Sequence, residues 1–288
     1  MNIIADTELI LTPKKKIYHL NLSKEQIAED IILVGDPARV NLVSKKFDTI
    51  EHKIKNREFH THTGWLNGKK ISVISTGIGT DNIDIVINEL DALVNIDFTT
   101  RTVNKERKAL NLIRIGTSGA LQNDIEIDSI ITSSFALGLD GLAHFYLDKK
   151  KIEKEISTKF KNHTNWPKKL ADPYFIKSSE NLLTKFSQTQ IGITATAPGF
   201  YGPQGRTLRI ENSMKEVYKK MTNFCFKNER IVNFEMETSA LYYLGRTLGH
   251  ETITMCAIIG NRKTNRYSRN YKKTINKLIE FVLEKIAE

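Results

Sequence analysis

Only two cysteines occur in the 288 residues, Cys225 and Cys256, and they lack the paired spacing of metal ligands. Thiols this sparse argue against a disulfide-stapled secreted domain and for a reducing compartment, so a cytoplasmic protein is expected. No apolar run is long enough to span a membrane. The segment Met1–Leu11 carries Asp6 and Glu8, with no basic leader and no small-residue cleavage pattern, so it is not expected to be a signal peptide. No Ser, His and Asp set stands in a context that suggests an enzyme nucleophile. His60 and His62 could share one strand face, but no third ligand is near them in sequence, which argues against a metal. There is no internal repeat, no low-complexity tract and no basic stripe interleaved with aromatics. The 43 Lys and Arg outnumber the 33 Asp and Glu to give a net charge of +10, yet the lysines fall in short scattered runs such as Lys14 to Lys16 and Lys149 to Lys151. That pattern describes a solvated surface rather than a nucleic-acid face.

A hydrophobic fraction of 40% and a charged fraction of 26% are those of an ordinary globular protein, and the length suits one domain over 1–288. Ile31 to Val34 is a short apolar run that predicts a strand, followed by a loop at Gly35-Asp36-Pro37 and a helix from about Ala38. Glu58 to Leu66 and Lys69 to Ser75 alternate around Asn67-Gly68, a pair that accepts positive φ and closes a tight hairpin. Ile83, Val86, Ile87, Leu90, Leu93 and Val94 recur at helical spacing. The polar, basic stretch from about Asp97 to Lys108 interrupts the pattern and predicts a surface insertion. Leu112 to Ile115, Ile127 to Phe135 and Ile191 to Thr196 predict strands, and another reaches Asn233-Phe234. A helix is expected from near Glu235 to Leu248, capped by Gly249, followed by a buried strand over Ile253 to Ile259. The chain closes with an amphipathic helix through Ile275, Leu278, Ile279, Val282, Leu283 and Ile286. Strands alternating with helices predict an α/β fold, a mixed central β-sheet flanked by helices, with ligands at the strand ends.

Three segments read as loops after strands combine glycine with a hydroxyl, Asp or Arg: Gly35-Asp36-Pro37-Ala38-Arg39, Thr76-Gly77-Ile78-Gly79-Thr80 and Arg114-Ile115-Gly116-Thr117-Ser118-Gly119. Glycine lets backbone N–H groups approach an oxyanion, and arginine grips phosphate oxygens bidentately. Any one of them alone is an ordinary turn; the three together suggest an anion site. Gly77-x-Gly79, with Asp97 twenty residues after Gly77, partly fits a dinucleotide fingerprint, but Asn82 stands where the third small residue belongs. In Asn233-Phe234-Glu235-Met236-Glu237 the carboxylates are either first-turn residues favoured by the helix dipole or a clamp for the vicinal hydroxyls of ribose. Phe200-Tyr201-Gly202-Pro203-Gln204-Gly205-Arg206 supplies an aromatic platform, an amide and a guanidinium, the set needed to stack a planar ring and address its edge.

In this order and spacing, Gly35-Asp36-Pro37-x-Arg39, Arg57-Glu58, Ser75-Thr76-Gly77-Ile78-Gly79, Arg114-Ile115-Gly116-Thr117, Phe200-Tyr201-x-x-Gln204-x-Arg206 and Glu235-Met236-Glu237 resemble the uridine phosphorylases. The resemblance runs from about Ile17 to Arg262. It implies a three-layer nucleoside phosphorylase fold and phosphorolysis of uridine, or of deoxyuridine or thymidine, with inorganic phosphate as co-substrate and no cofactor. It implies a phosphate site of Gly35, Arg39, Arg114 and Thr117, with Arg57 from a neighbouring subunit. Met236 and Glu237 would hold the ribose with the neighbour's His19, and Phe200, Gln204 and Arg206 would hold the base. Arg206, Gln204 and Glu237 would be the catalytic groups. A homo-oligomer, either a dimer or a hexamer built as a trimer of dimers, follows from the shared sites. Family members with a potassium site commonly have Gly-Gly-Pro-Ser where this chain has Gly79-Thr80-Asp81-Asn82, which argues against a cation near Glu58. The related purine enzymes place an aspartate where this chain has Asn261-Arg262, which points to a pyrimidine. The rival readings are a purine nucleoside phosphorylase, a nucleoside hydrolase lacking the phosphate arginines, and a nucleoside- or nucleic-acid-binding protein without turnover.

Overall fold

The computed structural model describes residues 2–288; Met1, the first residue of the Met1–Leu11 segment, lies outside them. Along the chain come β1 (Asp30–Val34), α1 (Pro37–Ser44), β2 (Thr49–Asn56), β3 (Phe59–Leu66), β4 (Lys69–Ser75) and α2 (Thr80–Asn95). A small hairpin of β5 (Ile96–Asp97) and β6 (Thr102–Val103) leads to β7 (Asn111–Ala120), β8 (Ile130–Gly138), α3 (Lys154–Thr164), β9 (Tyr174–Lys177) and α4 (Glu180–Lys185). The last third holds β10 (Gln190–Thr196), α5 (Lys215–Thr222), β11 (Cys225–Phe226), β12 (Glu229–Glu235), α6 (Thr238–Leu248), β13 (Glu251–Asn261), β14 (Arg266–Tyr267) and α7 (Tyr271–Ala287).

The layering follows from β1, an apolar run without alternation, as a strand covered on both faces must be. Ile31 and Leu33 belong to one core with Ile83, Val86, Ile87 and Leu90 of α2 and Leu241 and Leu244 of α6. Ile32 and Val34 belong to the other, with Val40 and Val43 of α1 and Leu278, Ile279 and Val282 of α7. Helices therefore flank both faces of a central mixed sheet, the α/β class expected from the sequence. β1 lies parallel between β4 and β7, and β7 lies parallel to β13. The hairpin β3–β4 closes where Asn67 and Gly68 both take positive φ, 50° and 76°.

One half of the sheet curls on itself. β12 runs parallel to β10 and also meets the end of β7 in antiparallel register, Asn233 opposite Ala120 and Phe234 opposite Gly119. With β8 pairing both β10 and β13, strands β7, β13, β8, β10 and β12 form a closed ring. Buried side chains link four of them: Ser133 bonds Thr194, Thr194 donates to Asn233 Oδ1 at 2.8 Å, and Asn233 Nδ2 donates to Ser118 Oγ at 2.8 Å.

The ring explains two departures from the sequence reading. Arg114 to Gly119, read as a loop, is the interior of β7, because β13 pairs with it as far as Ala120. Helix α6 starts at Thr238 rather than near Glu235, because Glu235 is still in β12, paired with Thr196. Strands β2 and β9 carry no sequence signal of their own: β2 is half-exposed along its length and rich in Glu, His and Lys, and β9 has only four residues.

The stretch from about Asp97 to Lys108, expected as a surface insertion, contains the β5–β6 hairpin, and at its turn Arg101 holds the N-terminal arm. The Arg101 guanidinium donates to the carbonyls of Ile4, Ala5 and Leu9 at 2.6 to 2.8 Å, and the Ile4 amide donates back to the Arg101 carbonyl at 2.8 Å. Charge-assisted hydrogen bonds contribute about 1.5–3 kcal/mol each when well shielded. Arg101→Ala should therefore free the arm and raise the rate of tryptic cleavage at Lys14 to Lys16 by roughly tenfold or more in a limited-proteolysis time course. An unchanged cleavage pattern would show that apolar packing of the arm alone holds it.

Candidate active site

A cavity of about 920 Å³ opens at the carboxyl ends of β1, β4, β7, β12 and β13. Gly35, Arg39, Arg114, Thr117, Phe200, Gln204, Arg206, Met236 and Glu237 all line it, together with Glu58 and Asn82. His19 and Arg57 do not. These two lie close to each other, since Asn56, next to Arg57 at the β2–β3 turn, donates from Nδ2 to the His19 carbonyl at 2.7 Å, while Glu58 on the other side of Arg57 lines the cavity. The His19 ring nitrogen Nδ1 lies 2.7 Å from Glu89 Oε1, and Glu89 also accepts the His19 and Leu20 amides.

The centre of the cavity is built from β7 and the β12–α6 junction. Arg114 is buried and pairs through Nη2 with Glu237 Oε2, while its Nη1 lies 3.5 Å from Glu235 Oε2. The guanidinium folds back over its own strand, which requires glycine at position 116: a Cβ there would stand 2.0 Å from Arg114 Nη1. Glu235 is held by Thr196 Oγ1 at 2.6 Å and by the amides of Glu237 and Thr238, so it caps the start of α6. The other oxygen of Glu237 accepts the Gly79 amide at 2.8 Å, which ties the β4–α2 loop to the same carboxylate.

One guanidinium thus serves two carboxylates, and the balance is uneven. Burial works against the Arg114 charge, but Glu237 and Glu235 outweigh it and hold Arg114 protonated more firmly than a free guanidinium. Among the described residues Glu237 has no second cation. Burial, reinforced by the charge of Glu235, pushes its carboxyl up to about 7 against the opposing pull of Arg114 and the Gly79 amide. Arg39 reaches in from α1, whose start is fixed by Asp36 capping the Ala38 amide and by Pro37 in the first turn. Its Nη1 donates to the Ile115 carbonyl at 3.2 Å, and burial, with Arg114 nearby, weakens its hold on its proton. Cys256 lies against Arg114 with its thiol raised to about 12 by burial, so it stays neutral.

At the far end, the Arg206 guanidinium lies 3.8 Å over the Phe200 ring and donates to the Phe200 carbonyl and Gln204 Oε1, both at 2.6 Å. Gln204 is buried, and Arg262 donates to its backbone carbonyl. Asn261, also on the cavity wall, is bonded to backbone groups. Its Nδ2 donates to the carbonyls of Gln122 and Ile125, and its Oδ1 accepts the Lys263 and Thr264 amides, so the side chain closes the turn into β14.

Several lining residues were given no role from the sequence. Glu235, read with Glu237 as a first-turn carboxylate or a ribose clamp, instead ends β12 and holds Thr196, the start of α6 and Arg114, and of the residues given no role two stand out. Arg266 and Tyr267 reach the cavity only because β14 folds back on β13, and no local pattern announces that contact. Among the described residues no group of three or more His, Cys, Asp or Glu is placed to hold a metal ion, and no helix is long and apolar enough to cross a membrane.

The chain belongs to the phosphorylase superfamily, whose family model matches residues 29–287. It is 30% identical to the uridine phosphorylase of Thermococcus kodakarensis over 89% of this chain and 81% of that protein. It is 27% identical to a DeoD-type purine nucleoside phosphorylase of Bacillus velezensis over 83% of this chain and 85% of that one. The structure of a Trypanosoma brucei nucleoside phosphorylase, described as showing uridine phosphorylase activity, superposes with a TM-score of 0.84 at 27% identity, over 96% of this chain and 98% of that one.

The raised Glu237 carboxyl links stability to pH. Between its ordinary value of 4.5 and about 7, the folded chain holds a proton that the unfolded chain has lost. The contribution of Glu237 is therefore complete below 4.5 and disappears as pH rises toward 7. In phosphate-free buffer, the melting temperature of the wild type should fall relative to that of Glu237→Gln over this range. A constant gap between the two would mean that Glu237 titrates as an ordinary carboxylate.

Proposed function

We propose that the chain is a uridine phosphorylase, a pentosyltransferase that converts uridine and inorganic phosphate into uracil and ribose 1-phosphate. One observation carries this reading: Arg39, Arg114, Glu237 and the joined Gln204–Arg206 pair line a single cavity, a set chemically suited to an oxyanion, vicinal hydroxyls and the imide edge of a pyrimidine. The family and the uridine phosphorylase relatives support it.

In this reading no enzyme nucleophile is needed. A phosphate oxygen bonds to the anomeric carbon as the carbon–nitrogen bond to uracil breaks, and the electron pair leaves on the base. Phosphate competes with Glu237 for Arg114, which frees the carboxylate to accept the ribose hydroxyls. Gly35 and Thr117 complete the phosphate end, and Met236 packs on the sugar. As charge develops on uracil, Arg206 and Gln204 gain strength as donors in a partly buried site. Phe200, half-exposed with the Arg206 guanidinium over one face of its ring, supplies its other face for stacking. His19 and Arg57, which stand together outside their own cavity, would complete the site of a neighbouring subunit in a homo-oligomer. Two unpaired cysteines fit a cytoplasmic salvage enzyme.

A hydrolase on this scaffold would have no use for Arg39 and Arg114 at one end of the cavity. A purine enzyme would need an acid after β13, and there the side chain of Asn261 is committed to backbone groups.

Release of free uracil from uridine, followed with and without inorganic phosphate and with inosine in parallel, tests the reading. Uracil should appear only with phosphate, and hypoxanthine should be scarce. Phosphate-independent release would mean a hydrolase, and preferential cleavage of inosine would move the substrate to purines. Arg206→Ala should slow turnover of uridine by roughly ten- to a hundredfold, the equivalent of one charge-assisted hydrogen bond. An unchanged rate constant would remove Arg206 from the reaction.

A further inference from the structure

Buried polar side chains inside the strand ring form a second line to the cavity, separate from the carboxylates around Arg114. Ser133 of β8, Thr194 of β10, Asn233 of β12 and Ser118 of β7 are all buried, and of the four only Ser118 lines the cavity. Each hydroxyl has one proton to give, and an amide nitrogen can only donate. Thr194 donates to Asn233 Oδ1 at 2.8 Å, so the bond between Ser133 and Thr194 must be donated by Ser133. Asn233 Nδ2 then donates to Ser118 Oγ at 2.8 Å. Every proton in the chain is passed towards the cavity.

The opposite direction is costly. With the amide turned over, Ser118 would give its proton to Asn233, and Thr194 would give its own to Ser133. The Ser133 proton would then be buried without an acceptor, since among the described residues Ser133 Oγ bonds only Thr194. In the observed direction the last proton is that of Ser118, which stands at the cavity wall. Its neighbour in the protein is the Cys256 sulfur, which burial keeps as a neutral thiol and therefore a weak acceptor. Each bond in such a chain polarises the next, so the terminal hydroxyl is the strengthened donor. We propose that Asn233 is a positioning residue for the reaction: its amide occupies the acceptor side of Ser118 and so reserves the Ser118 proton for an oxygen of a bound substrate. This inference rests on the uridine phosphorylase reading. The oxygen belongs either to the nucleoside or to phosphate; both are acceptors, and the two are separated by which KM responds.

The test is a double-mutant cycle that reads kcat, KM for uridine and KM for phosphate in the wild type, Ser118→Ala, Asn233→Asp and the double variant. Asn233→Asp keeps the shape of the side chain but puts an acceptor where the donor was, so the Ser118 proton turns back into the protein. Each single variant should lower kcat/KM by roughly tenfold, the effect of one lost hydrogen bond to substrate. The double variant should also lose roughly tenfold rather than a hundredfold, because a residue that acts through Ser118 has nothing left to act on in its absence. Asn233→Ala, which removes the amide instead of reversing it, should likewise cost nothing further in the Ser118→Ala background. A rise confined to KM for uridine assigns the oxygen to the nucleoside, and a rise confined to KM for phosphate assigns it to the anion. Losses that multiply in the double variant would overturn the proposal, since Asn233 would then act on the fold and not through Ser118. An unchanged kcat/KM in Ser118→Ala would overturn it too, whether or not the Asn233 variants fold, and would leave the proposed function standing. A wild-type protein that leaves uridine intact in the presence of phosphate would overturn the function itself, and the role of Asn233 with it.

Discussion

The buried guanidinium of Arg114 is the point on which the rest of the site depends. Three parts of the chain far apart in sequence meet there: β7 supplies the arginine, the β12–α6 junction supplies Glu235 and Glu237, and the β4–α2 loop joins through the Gly79 amide. A buried cation of this kind is costly unless its partners are close and themselves hydrogen-bonded. Each partner here is anchored: Glu235 by Thr196 and two helix amides, Glu237 by Gly79. The same arrangement is poised for an incoming anion, because an oxyanion can take over the arginine from Glu237, whose own charge burial already disfavours.

Closure of the strand ring makes this meeting possible. In an open sheet, β12 and β7 would be separated by β10, β8 and β13; pairing Asn233 with Ala120 brings Glu235 and Glu237 back over Arg114. The cavity thus lies at the usual place for a parallel sheet, outside the carboxyl ends of the strands. It gains a wall from the end of β12 that an unclosed sheet would not supply.

Most helices and the central strands were legible from the sequence because their periods are strong. α2 and α7 carry apolar stripes at helical spacing, and β1 and β13 are nearly unbroken apolar runs. The motif residues were legible too, since glycine, arginine and carboxylate clustered at strand exits. What sequence could not supply was the pairing between distant strands. Gly116 to Gly119 resemble a loop by composition, and only their pairing with β13 and β12 makes them a strand. Arg266 and Tyr267 have no pattern that marks them, because they enter the cavity through a hairpin held by Asn261. Residues 97–108 look like excess surface until Arg101 is seen holding three carbonyls of the N-terminal arm.

The ring also bears on how the molecule moves. β7 is paired along its length with β13, over Asn111 to Ile115 with β1, and at Gly119 and Ala120 with β12, so Arg114 lies where strands flank β7 on both sides. Its amide protons, and those flanking Arg114 in particular, are released to solvent only when several strands separate together, which places the heart of the cavity in the slowest-exchanging unit of the fold. β14, by contrast, is a two-residue edge with a partner on one side, so the wall beside Tyr267 can breathe on a far shorter timescale while the charged centre stays fixed.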